Sequence, residues 1–164
     1  MPPFFDRYIN LVADIEIMDA FDKYTPELVF EDTAKMASLG DKVYAENKWT
    51  IRDIIQHVID NERVMAYRAL RFSRNDNTEL PGYEENLFAA NTIANARSID
   101  DLMEEFSLVR ASTIALFRNM DDAMILNSGI ASETVISPLA LGFVILGHPV
   151  HHMNIIRERY FPLL

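Results

Sequence analysis

The chain has 164 residues, 49% of them hydrophobic, and its 25 acidic and 15 basic side chains give a net charge of −10. A chain of this length fits one domain, 1–164, and buries roughly 70% of its unfolded surface, so it needs no covalent cross-link. Nucleic acids and anionic membranes bind clustered Lys and Arg, so neither is predicted as a partner of this acidic chain. The absence of cysteine excludes disulfides and thiolate ligands, leaving His, Asp and Glu to bind any metal.

The N-terminal segment is apolar without resembling a signal peptide, because no basic region precedes a long apolar run. The longest nearly apolar run, 138–147, is about half the length that a membrane span requires. These features predict a cytoplasmic protein. Residues 4–12 form an apolar lead-in to the first helix, which is predicted to pack across the outside of the fold. Its apolar residues are Phe4, Phe5, Tyr8, Ile9, Leu11 and Val12.

A first helix is predicted from about residue 14 to residue 38, with Gly40 ending it. Its predicted inward-facing residues are Ile15, Met18, Phe21, Leu28 and Met36. Pro26 lies inside this pattern, and a proline within a helix removes one hydrogen bond. Thr25 also has a side chain suited to cap a new helix that begins with a proline. The first helix is therefore predicted to bend or break near Thr25.

A second helix is predicted from Thr50 to about residue 72. Thr50 and Asp53 have the spacing of a capping box. Apolar residues then recur at near-helical spacing, namely Ile51, Ile54, Ile55, Val58, Met65, Leu70 and Phe72. The following segment, 73–97, is rich in turn-forming residues, and a connection this long is more often functional than idle. It would allow a crossover between the second and third helices.

The third and fourth helices have clear start signals. Ser98 can cap a helix that runs to about Asn119, and Ser137 followed by Pro138 starts a helix that runs to about residue 160. The buried stripe of the third helix is predicted to contain Leu102, Phe106, Val109, Thr113 and either Leu116 or Phe117. Four long helices without strand alternation predict an all-α helical bundle.

Three of the four histidines lie inside the last helix, within the five residues 148–152. His148 and His152 are one turn apart and about 40° apart around the axis, so they project from one face. That face also carries Ile145 and Ile155. Imidazoles directed into an apolar interior need partners for their ring nitrogens, and a divalent metal, a carbonyl, a carboxylate or water would serve.

His57, in the second turn of the second helix, supplies a third imidazole. Three neutral imidazoles leave open coordination positions on a divalent ion, which is typical of catalytic sites. Such an ion activates water or binds a substrate thiolate. His148 with His151 is an alternative pair, ranked lower because His148 and His152 straddle the apolar face more symmetrically. Pro149, between these residues, is predicted to kink the helix.

Other polar residues near the histidines have two interpretations. Asp53, Asp60 and Asn61 lie three or four residues from His57 and could orient its ring, but solvated surface residues are the favoured interpretation. Glu62 is predicted to form a surface or interhelix ion pair. The residues at positions 83–85 either cover the mouth of the site or form an exposed turn.

An ordered set of segments resembles the DinB-like (DinB/YfiT) superfamily of metalloenzymes. These segments are KWTI (48–51), HVIDNER (57–63), YRALRF (67–72), LPGYEEN (80–86), NARS (95–98), GH (147–148) with HH (151–152), and IRERY (156–160). The resemblance covers nearly the whole chain beyond Asp14. Pro26, Pro149 and the pair Pro138-Leu139 depart from the superfamily pattern.

The resemblance implies a four-helix bundle of up-down-down-up topology, often a homodimer. It implies a divalent metal, zinc or nickel, bound by His57, His148 and His152. The implied activity is that of a hydrolase using metal-activated water, or an S-transferase using a low-molecular-weight thiol. The superfamily name refers to DNA-damage induction, which suggests a role in the stress response. The alternative is a non-catalytic, dimeric ligand- or partner-binding module whose histidines are structural or bind metal weakly.

Overall fold

The computed structural model describes residues 5–164, so Phe4 of the predicted lead-in lies outside the described residues. Long helices dominate the fold, namely α5 (Ile51–Ser73), α7 (Ile99–Arg118) and α9 (Pro138–Ile155). Shorter helices are α1 (Asp6–Ile9), α2 (Ile17–Lys23), α3 (Pro26–Val29), α4 (Thr33–Ser38), α6 (Glu85–Ala90) and α8 (Asp122–Leu126). The predicted all-α class is confirmed. The up-down-down-up order and the crossover remain predictions.

The predicted break of the first helix near Thr25 is confirmed: α2 ends before it, and Thr25 Oγ1 accepts a hydrogen bond from the Leu28 N–H at the start of α3. A second break, which was not predicted, separates α3 from α4. Gly40 has a φ of +56°, the left-handed conformation expected just after a helix. The inward placement was wrong for Ile15 and Leu28, which are exposed. Ile15 precedes the start of α2, and Leu28 belongs to α3, whose separate start changes which face is directed inward.

The caps of the longer helices are confirmed. Thr50 and Asp53 form the complete capping box at the start of α5. Ser98 caps α7, and Ser137 caps α9, where Pro138 occupies the first turn. In α7 the buried member of the predicted final pair is Phe117, which is 2% exposed.

The C-terminal helix changes from α-helical to π-helical and then to 3₁₀ geometry. Helix α9 continues through Pro149, and Ile156–Tyr160 adopts π-helical geometry before a 3₁₀ turn at Phe161–Leu163. Among the described residues, one segment, Pro138–Leu163, is apolar and long enough to cross a membrane. Within it, 56% of the apolar 18-residue stretch is buried in the protein, and a core helix has the same composition.

Strands Gly129–Ala131 (β1) and Thr134–Ile136 (β2) form an antiparallel hairpin that the sequence analysis did not predict. Ser132 and Glu133 at its turn have φ values of +50° and +63°. The 73–97 connection also contains structure, including α6 and a 3₁₀ turn at Ala94–Ala96. Its Leu80 pairs with Ala131 of the hairpin in an isolated bridge.

The lead-in is part of the core and does not cross the outside of the fold as predicted. Phe5, Tyr8 and Val12 are buried with residues of α5 and α9. A second apolar cluster lies between α5, α7 and the C-terminal turns. In α9, Ile145 belongs to the first cluster and Met153 to the second, so His148 lies between two apolar regions.

Candidate metal centre

The packing of α5 against α9 brings three of the four histidines together. His57 Nε2 lies 3.1 Å from His148 Nε2, and His152 Nε2 lies 3.0 Å from the same atom. The potential ligand atoms of the three residues all lie within 4.8 Å of one another. His57 and His148 are buried and His152 is partly exposed, so the group lies at the edge of the interior.

The three ring nitrogens cannot all satisfy one another by hydrogen bonding. In a neutral imidazole, Nε2 carries either one hydrogen or one lone pair. His148 Nε2 can therefore form one good hydrogen bond, although it has two close nitrogen neighbours. Three lone pairs directed at one cation would remove this conflict. The donor set thus fits a divalent metal that accepts imidazole nitrogen.

Burial keeps the three imidazoles in the form that binds metals. It lowers the pKa of His57 to about 4. It also lowers the pKa values of His148 and His152 to well below the usual value, with a smaller contribution from the neighbouring imidazoles. Neutral rings at neutral pH have a lone pair available to a cation.

Two aromatic side chains that sequence analysis did not select form walls of the site. The ring centroids of Trp49 and His57 lie 4.7 Å apart, and those of Tyr8 and His148 lie 5.2 Å apart in an edge-to-face arrangement. Trp49 directly precedes the helix cap Thr50, which is a usable sequence signal. Tyr8 reaches the site only through the packing of α1 on α9, which no local pattern indicates.

His151 lies beside the three-histidine group without joining it. The centroid of its ring lies 5.4 Å from that of Tyr8 and 5.3 Å from that of His152. Among the described residues, the group with metal-ligand geometry consists of His57, His148 and His152. The alternative pairing of His148 with His151 is therefore less compatible with the structure.

The acidic residues near His57 have other partners. Asp53 accepts hydrogen bonds from the Thr50 N–H in the capping box of α5 and from Asn95, while Asp60 accepts one from Gln56. None of these contacts is with the His57 ring, so neither carboxylate is seen to orient it, and both residues are partly buried rather than fully solvated.

Asn61 is different because part of its amide is unsatisfied. Its Nδ2 donates to the Tyr83 hydroxyl at 2.8 Å, and its buried Oδ1 has no partner among the described residues. Tyr83 Oη can either donate or accept, so one of the two amide atoms is unpaired in either orientation of the amide. A free polar atom therefore lies one turn along α5 from His57.

A cavity of about 200 Å³ gives access to the site from the side of His152. Its lining residues include Tyr44, Asn47, Lys48, Trp49, Asn86 and Tyr160. Residues 83–85, which sequence analysis considered as a cover, are not among those that line it. Asn86, in the first turn of α6, is the part of the long connection that reaches this opening.

Comparison with known proteins agrees with this fold. YfiT from Bacillus subtilis, described as a probable metal-dependent hydrolase with an unusual four-helix bundle topology, has a similar structure, with a TM-score of 0.60. The match covers 89% of this chain and 91% of YfiT at 17% sequence identity, so it shows a shared fold. A search of curated proteins returned no match. Residues 30–156 match the DinB superfamily. The chain therefore belongs to the DinB superfamily.

Proposed function

We propose that the protein is a metal-dependent enzyme that binds a divalent ion, zinc or nickel, through the Nε2 atoms of His57, His148 and His152. The observation that carries this proposal is the convergence of three ring nitrogens, two pairs of which lie 3.0–3.1 Å apart. The reaction is hydrolysis with water as nucleophile, or transfer of a low-molecular-weight thiol to an electrophile. The description of YfiT as a metal-dependent hydrolase is consistent with the first reaction.

A bound divalent ion supplies Lewis acidity, which lowers the pKa of water or a thiol toward neutrality. The protein supplies neutral ligands and a partly apolar surrounding. Because His148 is buried between the two apolar clusters, its ring is held in place by packing. The unpaired amide oxygen of Asn61 is buried and lines neither cavity, so it can accept a hydrogen bond from a buried water but is not placed to contact substrate.

The cavity beside His152 is the proposed substrate entrance. The rings of Tyr44, Trp49 and Tyr160 can contact an apolar substrate body, while Lys48 and Asn86 offer polar groups. This composition suits a small organic substrate. We further propose that the protein acts in the cytoplasm as a homodimer, and sedimentation velocity of the purified protein would test the assembly.

The direct test is turnover by zinc- or nickel-loaded protein, assayed with ester and amide substrates and with thiol–electrophile pairs. His57→Ala should abolish any activity found, because it removes one of three ligands. His151→Ala is the matched control, since this histidine adjoins the group but is not in it, and it should retain activity. Retained turnover in His57→Ala would reject the proposed mechanism.

The same experiment addresses the non-catalytic alternative. A protein without turnover that also fails to bind zinc or nickel would be better described as a ligand- or partner-binding module.

A further inference from the structure

We propose that a second cavity, at Arg68, binds the anionic oxygen group of a small molecule, either a carboxylate or a phosphate. Arg68 lies on α5 eleven residues beyond His57, which corresponds to about 16 Å along the helix axis. The cavity has different lining residues from the one beside His152. This inference therefore stands independently of the proposed metal-dependent activity.

The first observation is that Arg68 is a buried cation without an anionic partner. Its side chain belongs to a residue only 3% exposed. Its hydrogen-bond acceptors are the Pro81 carbonyl at 2.8 Å, Ser132 Oγ at 3.0 Å and, more weakly, Met65 Sδ at 3.7 Å. All are uncharged, and no carboxylate of the described residues forms an ion pair with it.

Arg110 of the same protein is a buried arginine whose charge is paired with a carboxylate. It is 2% exposed, and its Nε and Nη2 atoms each lie 2.9 Å from a carboxylate oxygen of Glu62. A buried charge is ordinarily paired in this way, because removing it from water is costly. Arg68 departs from that pattern, which indicates that its anionic partner is supplied from outside the chain.

The second observation is that the Arg68 guanidinium has unused donors. A guanidinium has five N–H groups, and the three hydrogen bonds above leave two of them without an acceptor among the described residues. The unused donors are on Nε and Nη1, on different edges of the guanidinium, so an oxyanion would accept a charge-assisted hydrogen bond from one of them, which is stronger than a bond between neutral groups. Carboxylate and phosphate share this chemistry.

The third observation is the cavity itself, whose volume of about 450 Å³ suits a small organic molecule. Phe5 and Met65 form apolar walls, while Tyr83 and Thr134 add hydroxyl groups. Glu85 also lines the cavity and would repel an anion. The anionic group is therefore assigned to the Arg68 end, and the apolar body of the ligand to the surface of Phe5 and Met65.

The test uses three probes of similar size on chelator-treated protein, measured by isothermal titration calorimetry. Benzoate carries a carboxylate, phenyl phosphate carries a phosphate, and neutral benzamide is the control. We expect saturable binding of benzoate, phenyl phosphate or both, and none of benzamide. If only one of the two anions binds, the result shows whether the site prefers a carboxylate or a phosphate.

Variants then locate the binding. Arg68→Gln should weaken it by roughly 10- to 100-fold, because a hydrogen bond to a charged group is lost. Arg63→Gln, on the same helix but exposed and paired with Glu105, should leave it unchanged. His57→Ala should also leave it unchanged, which separates this site from the metal centre.

A second variant keeps the test decisive if Arg68→Gln fails to fold. Thr134→Phe retains Arg68 but fills part of the cavity, and it should abolish binding. Failure of both anions to bind the parent protein would overturn the proposal. Unchanged binding in folded Thr134→Phe and, where it folds, Arg68→Gln would do the same.

Discussion

Gly147 determines how closely α1 approaches the candidate metal centre. A Cβ atom added at this position would lie 2.0 Å from the Tyr8 carbonyl oxygen, which is far inside van der Waals contact. The next residue is His148, whose ring the Tyr8 ring meets edge-on. A side chain at position 147 would therefore displace a wall of the site, and glycine permits the close backbone approach.

Replacing this glycine tests the contact. Gly147→Ala should lower the free energy of unfolding by about 1–3 kcal/mol, as overpacking of a core does, because the obstacle is backbone. Urea denaturation monitored by circular dichroism would measure the change. Gly142→Ala is the control in the same helix, since its nearest contacts are side-chain atoms of Phe117 and Ile17 at 2.9 and 3.0 Å, a milder clash than one with backbone at 2.0 Å. An equal or greater loss in the control would contradict the argument.

The histidine positions show what sequence can predict at this scale. Helical periodicity placed His148 and His152 on one face, because that relationship depends only on the geometry of one helix. The approach of His57 depends on how α5 packs on α9, so periodicity made it only a candidate third ligand, and the family resemblance then implied the same three residues. The wall formed by Tyr8 depends on the path of a short helix distant in sequence, which no periodicity encodes.

Helices α5 and α7 are joined by a buried ion pair. Glu62 is 1% exposed and Arg110 is 2% exposed, and Arg110 also donates to the Tyr24 carbonyl at 2.6 Å. The sequence indicated an ion pair for Glu62, but its burial follows from the packing of α7 on α5. A pair removed from water in this way is far more sensitive to the loss of one partner than a surface pair.

Glu62→Gln leaves the Arg110 charge buried without a counter-ion. It should lower the free energy of unfolding by about 3–5 kcal/mol. The double replacement Glu62→Leu with Arg110→Met should cost less than Glu62→Gln alone, because no charge remains. Arg63→Gln, which removes an exposed pair, should cost about 1 kcal/mol or less. The account of this pair is wrong if Glu62→Gln and Arg63→Gln have the same small effect.

At the level of elements, local signals predicted the long helices and missed the short ones. Capping residues such as Thr50 and Ser98 act within their own turn, so their positions are readable from sequence. The break between α2 and α3 was also readable from the pair Thr25-Pro26, whereas the break between α3 and α4 is marked by no proline or glycine. The hairpin turn at Ser132 and Glu133 lacks the Asn-Gly chemistry that usually marks such turns, which is why it was not predicted.

Across the whole molecule, the C-terminal turns close against the start of α5. The Tyr160 hydroxyl donates to the Trp49 carbonyl at 2.5 Å, and the Trp49 ring packs on His57. Tyr160 is 1% exposed, and burial raises its pKa to about 12. The C-terminal end of the chain thus supports one wall of the candidate centre.

This burial predicts a loss of stability at alkaline pH. The folded protein favours the neutral phenol, so the contribution of Tyr160 is complete below pH 10 and is lost as the pH rises from 10 to 12. A shift of this size corresponds to about 3 kcal/mol at most. Chemical denaturation across this range should show a shallower decline in Tyr160→Phe than in the parent. Tyr67→Phe, at an exposed position, should follow the parent, and a parallel decline in all three proteins would contradict the assignment.

The overall class of the molecule was accessible from sequence. Apolar periodicity predicted the helical fold, and the ordered motifs identified the superfamily to which the chain belongs. The order of the bundle helices in space and the assembly of the protein remain predictions, since both depend on contacts between distant surfaces.

The metal content of the purified, untagged protein tests the central claim most directly. Plasma mass spectrometry should find about one zinc or nickel per chain, either as purified or after reconstitution. The metal should be lost in His57→Ala, His148→Ala and His152→Ala, and retained in His151→Ala. Failure of the parent protein to bind either metal after reconstitution, or full metal content in all four variants, would contradict the three-histidine centre.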